Sequence, residues 1–140
     1  MQKCIQLYIL PLRANGSKAW ISGVPPHISR FLDWLEDIVH LHERLLSIFR
    51  GPSSNVLSEM IAFLPKFEIY QPYIVRLVEI AQQLRQLMEE GSDFGSFVAL
   101  QDKQIRRSGW SLSKYIVEPE KRLQKYLDLF SVRLVRLHIV

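Results

Sequence analysis

Residues 111–130 read SLSKYIVEPEKRLQKYLDLF. Downstream of Pro119 the apolar side chains fall at helical spacing: Leu123, Tyr126, Leu127, Phe130 and, just past the stretch, Leu134. Lys, Arg, Gln and Asp fill the positions between them, the pattern of a helix with one face in a core. Pro119 suits a first turn, where the N–H it lacks would have no intrahelical partner anyway. The sequence therefore predicts a helix opening at Glu118-Pro119, with 112–117 as a short separate segment before it.

The same period runs upstream, punctuated by Gly and Pro. A first helix is predicted from the start to Arg13, closed by Asn15-Gly16 in the left-handed conformation of a C-cap. Residues 17–27 form a connector containing Pro25-Pro26. A second helix runs over 28–50, with Phe31, Leu35, Ile38, Leu45 and Phe49 near one face and Trp34 beside them. Gly51-Pro52 stops it, and Ser53-Ser54-Asn55 offers the next cap. In a third region, 56–90, Pro65 and Pro72 predict a break across 64–73, because proline removes a donor and crowds the preceding turn. A clean helix follows and ends at Gly91. Ser92-Asp93 caps a fourth, carrying Phe94, Phe97 and Val98 to about Arg106, and Ser108-Gly109 breaks it. With no period-two stretch and no internal repeat, the expected class is all-α: an elongated helical bundle around one core.

Of the 140 residues, 48% are apolar, enough for one continuous core. The formal charge is +4. Lys and Arg are scattered apart from 103–107 and the last stretch, which gives no patch for nucleic acid. A single cysteine, Cys4, excludes an internal disulfide and a cysteine zinc site, and favours a reducing compartment. His40 and His42 stand two apart, so on a helix they face different ways, which speaks against paired metal ligation. No run approaches the ~20 apolar residues of a membrane span. Met1 to Leu12 imitates a weak signal peptide, but Gln6 interrupts it and Arg13 closes it, so it reads as the end of an amphipathic helix. There is no Gly-rich phosphate loop, nucleophile elbow or metal-binding helix motif. Neighbouring acids such as Glu36-Asp37, Glu89-Glu90 and Glu118 with Glu120 do not converge on a pocket by adjacency alone.

Within 111–130, a short apolar pair precedes Pro119-x-x-Arg122-x-x-Lys125-Tyr126. This resembles the third homology block of the Dbl-homology (DH) domain of Rho guanine-nucleotide exchange factors. Phe67, Tyr70 and Tyr73 look like that family's central block. Phe94 and Phe97-Val98, followed by Gln101, look like the segment between the two. Ile38-Val39-His40-Leu41-His42 resembles its second helix. The resemblance spans about Leu7 to Phe130, with 131–140 left as a divergent tail, and it rests on the joint order of the blocks.

The resemblance implies an exchanger that has no bond-making chemistry of its own. Such a domain binds a Rho-family GTPase best in its nucleotide-free state and so accelerates GDP release, a matter of differential affinity between states. Magnesium and nucleotide sit on the GTPase, so no cofactor is implied here. The positions matching the family's GTPase-facing helix are Lys121, Lys125 and Leu129, spaced four apart on one side. Lys125 would make a charge-assisted contact to acidic or carbonyl groups of the switch region. Leu129 would pack on an apolar switch residue, and Lys121 stands where the family often has Gln. Without the motif, a Lys on an amphipathic helix is usually just a solvated face. Arg122, Tyr126, Tyr70 and Tyr73 are expected to be packing residues. A cytoplasmic place, peripheral at membranes with the GTPase, goes with this reading.

Two departures stand out. The family's first-helix glutamate would fall before Met1, and the first acidic residue here is Asp33. The following helix with its Asn contact, and the pleckstrin-homology domain that commonly comes after, have no counterpart in 131–140. The expectation is thus of an incomplete DH fold with weak exchange, and of self-association through exposed apolar surface. The competing expectation is a non-catalytic helical scaffold that binds other proteins.

Overall fold

The computed structural model describes residues 1–51, 56–105 and 110–139; the side chains of residues 56, 57, 105 and 129–139 are outside that description. Its elements are α1 (Gln2–Cys4), continued by a π-helical stretch Ile5–Ile9 and a 3-10 turn Leu10–Leu12, then α2 (Pro26–Arg50) and α3 (Val56–Phe63). A 3-10 stretch Leu64–Ile69 leads into α4 (Tyr70–Glu90), α5 (Asp93–Ile105) and α6 (Leu112–Ile139). The described residues contain no strand, so the chain is all-α.

α4 is the hub, packing against α2, α5 and α6. Its inward face is Tyr70, Tyr73, Leu77, Ile80 and Leu84, all buried. α2 answers with Ile28, Phe31, Leu32, Leu35, Ile38, Val39, Leu41 and Leu45. The rings of Phe31 and Tyr73 stack with centroids 4.3 Å apart at the seam. Such a pair adds about 0.5–1.5 kcal/mol to the burial of its area.

At the α4–α5 corner, Gly91 takes φ +70, the left-handed cap expected of it. The hydroxyl of Ser92 then accepts the N–H of Gly95 at 3.0 Å, capping α5. Gly95 is forced: a Cβ there would lie 2.1 Å from the carbonyl oxygen of Leu87.

Four expectations are corrected. Asn15-Gly16 is not a helix cap. The helical segment ends at Leu12 and Arg13 is extended, while Asn15 (φ 48) and Gly16 (φ 73) form the turn of a small hairpin closed by the Arg13–Trp20 bridge. The proline break covers only Leu64–Ile69, because Pro72 falls in the first turn of α4, where its missing N–H has no intrahelical acceptor.

The third correction concerns the last helix, which does not open at Pro119. It runs unbroken from Leu112, with Pro119 inside it. Proline leaves one carbonyl of the preceding turn without its helical N–H. The carbonyl so left is that of Tyr115; on the next residue the hydroxyl of Tyr73 donates to the carbonyl of Ile116 at 2.5 Å, which ties this turn to α4.

The buried anchors of α6 are accordingly Leu112, Tyr115 and Ile116, in the segment expected to stand apart. Leu123 and Tyr126 are half-buried, and Leu127, expected in the core, is 40% exposed. The side chains of Phe130 and Leu134, the cap at 53–55 and the break at 108–109 lie outside the described residues.

Arg13 is one of two buried polar side chains among the described residues. Its Nη2 donates to Asp33 at 2.8 Å and Glu36 at 3.1 Å, and its guanidinium lies 4.6 Å over the ring of Trp20. The indole N–H of Trp20 donates to the same Asp33 oxygen at 3.1 Å. The hairpin is thereby strapped onto α2.

Candidate functional site

The N-terminal third of α6 is held in the core, which fixes where the rest of the helix points. Asp102 on α5 contributes: its Oδ1 accepts the N–H of Leu112 at 3.2 Å, at the start of α6, and the hydroxyl of Tyr8 at 2.6 Å. Beyond Pro119, Lys121 and Lys125 are both exposed, one turn apart on the same side. They form a two-cation stripe with no ion pair among the described residues. Leu129 lies on the next turn of the helix, but its side chain is outside the described residues. The structure thus brings two of the three expected side chains to one accessible face.

Beside this stripe, Arg122 and Tyr126 line a pocket of about 330 Å³ between α6 and α2. Arg122 pairs with Glu118 at 3.6 Å. Across the pocket is His42, 6% exposed, with Nε2 against the hydroxyl of Tyr70 and the ring of Tyr126 edge-on at 5.2 Å. Its Nδ1 is buried and has no hydrogen-bond partner. Burial, then the charge of Arg122, then the terminal ammonium push the His42 imidazole down to about 4, so at neutral pH it is uncharged. His40, two residues earlier, is exposed and 3.5 Å from Glu43. The two histidines do face different ways.

Elsewhere, burial pushes the Cys4 thiol up to about 12, which makes it an inert packing group. The phenols of Tyr70 and Tyr73 are raised by burial, consistent with packing roles. Among the described residues no three or more His, Cys, Asp or Glu side chains gather to hold a metal ion. Among the described residues no helix is long and apolar enough to cross a membrane.

Sequence reasoning missed the Tyr8–Asp102–Leu112 junction and the His42–Arg122 pocket. The first joins residues 94 apart in the chain, beyond the reach of any local pattern. For the second, the signal was a histidine set between Leu41 and Leu45 on the core side of a helix.

Compared with known proteins, residues 1–132 match the family model of the RhoGEF domain. No curated protein and no solved structure matches the chain.

Proposed function

The chain belongs to the RhoGEF domain family, and from that membership we propose that it accelerates GDP release from one Rho-family small GTPase by holding the nucleotide-free form most tightly. The observation that carries the reading to particular residues is the exposed pair Lys121 and Lys125 on a helix whose other end is buried. Two cations without carboxylate partners on a rigid scaffold suit acidic or carbonyl groups of a switch segment. Leu129 completes the stripe one turn on and packs against an apolar switch residue. The exchanger works by state preference, so it holds no cofactor and makes no bond. The exchange domain is taken as 1–130, with 131–140 as a tail, and the protein acts in the cytoplasm, peripherally where its GTPase sits on membrane.

The test is release of fluorescent GDP from a panel of Rho-family GTPases, with and without the chain. Acceleration of one member supports exchange. A folded chain that accelerates none overturns it.

Binding without exchange is favoured by one observation. Val75 and Val78 on the outer face of α4 are 72% and 69% exposed, an apolar spot open to solvent. Equal affinity for loaded and nucleotide-free GTPase, or concentration-dependent self-association, would support that scaffold reading.

A further inference from the structure

The outer face of α4 carries a stripe of exposed side chains. Glu68, in the 3-10 stretch that runs straight into α4, is followed at alternating spacings of three and four by Gln71, Val75, Val78, Gln82 and Arg85, and all six are exposed. That spacing lines them up along one side of the helix, as in the seam between two packed helices. At its middle are the two open valines, Val75 and Val78.

The polar side chains of α4 divide by position. On the flanks, Arg76 donates to Glu79 at 3.0 Å, Gln83 reaches the same carboxylate at 3.4 Å, and Gln86 donates to Glu90 at 2.9 Å. Within the stripe, Glu68, Gln71, Gln82 and Arg85 make no side-chain hydrogen bond or ion pair among the described residues.

The stripe is its own complement when reversed. A second copy can be laid along it the opposite way, about a twofold axis between Val75 and Val78. One register then sets Val75 on the partner's Val78, Gln71 on the partner's Gln82, and Glu68 on the partner's Arg85. A twofold contact is isologous, so every pair occurs twice. The two glutamine amides serve each other as donor and acceptor. A parallel pairing would also bring the valines together, but it would set Arg85 on Arg85 and Glu68 on Glu68, and like charges oppose it.

We propose that this face of α4 binds a second copy of the chain, antiparallel, in a weak twofold dimer with the valines at its centre and a Glu68–Arg85 pair at each end. One helix against one helix is small beside the roughly 1,200–2,000 Å² buried in stable interfaces, so a Kd on the order of 100 µM is expected. The dimer rests on the valine spot of the binding reading and names what covers it. Whether the chain also exchanges nucleotide is read separately, from GDP release.

The test is sedimentation equilibrium of the full chain from about 1 µM to about 1 mM, where a reversible monomer–dimer equilibrium is expected. Val78→Glu, made at an exposed position, keeps the helical circular dichroism and melting midpoint of the parent and stays monomeric throughout. Arg85→Glu sets glutamate against Glu68 at both ends and weakens the dimer by about tenfold, because symmetry counts the change twice. Adding Glu68→Arg to that variant exchanges the charges and restores the affinity of the parent. A parent that stays monomeric or runs on past the dimer, a dimer untouched by Val78→Glu, or a double variant no tighter than Arg85→Glu alone overturns the proposal.

Discussion

The hydroxyl of Tyr8 donates to Asp102 at 2.6 Å, and the same carboxylate oxygen takes the backbone N–H of Leu112 at 3.2 Å. One side chain thus ties the first helical segment, α5 and the start of α6 together. Asp102→Ala leaves a buried phenol and a helix-start N–H unmet. We expect a loss of about 2–3 kcal/mol in urea melts, Tyr8→Phe costing about 1 kcal/mol. In the double variant the two losses are expected to add to less than their sum, since both remove one shared bond. Strict additivity would mean the bond contributes nothing.

Acid is expected to weaken the fold through His42. The native ring titrates near 4 against 6.5 for an ordinary histidine. As pH falls below 6.5 the unfolded chain takes up the proton first, so the stability is whole above 6.5 and drains away toward 4. At about 1.4 kcal/mol per pH unit the ceiling is about 3 kcal/mol. His42→Gln keeps an acceptor for Tyr70 and removes the titration. Its denaturation midpoint is expected to change less with pH than that of the parent across this window; parallel slopes would remove His42 from the account.

Gly95→Ala is expected to destabilise the chain by about 2–3 kcal/mol or more, the cost of overpacking where the obstacle is backbone. The added methyl meets the Leu87 carbonyl at 2.1 Å, so α4 and α5 must separate. A thermal midpoint within a degree or two of the parent would show that the corner gives freely. Gly91→Ala, by comparison, meets no atom but sits at φ +70, and about 1 kcal/mol is expected from that conformation alone.

In the exchange assay, Lys125→Ala is expected to slow GDP release by about tenfold or more, since a charge-assisted bond contributes about 1.5–3 kcal/mol. Its stability is expected to stay within about 0.5 kcal/mol of the parent, because the side chain is exposed. Lys121→Gln is expected to change which GTPase is preferred more than the overall rate. A Lys125→Ala chain as fast as the parent would place the contact elsewhere on the bundle.

Most helices were legible in the sequence because their cause is local. The apolar period of α2 and α4 and the Gly91-Ser92 corner are set by residues within a turn or two of each other. The last helix was misjudged at Pro119 because what holds its first turns, the burial of Tyr115 and Ile116 and the bond from Tyr73 to Ile116, comes from other elements. Asn15-Gly16 was misjudged for a related reason. It ends a helix or makes a hairpin turn according to what Trp20 and Arg13 find to pack on, and that is the carboxylate of Asp33. Of the site, Lys121 and Lys125 were readable as exposed positions on a helix face. The pocket beside them was not, because it needs α2 and α6 side by side.

The bond from Tyr73 to the carbonyl of Ile116 reaches a main-chain atom, not a side chain. It therefore constrains what may stand at residue 73 without constraining what stands at residue 116 beyond size. Descent within this family is expected to keep a hydroxyl on the ring at residue 73 while the apolar side chain at residue 116 drifts.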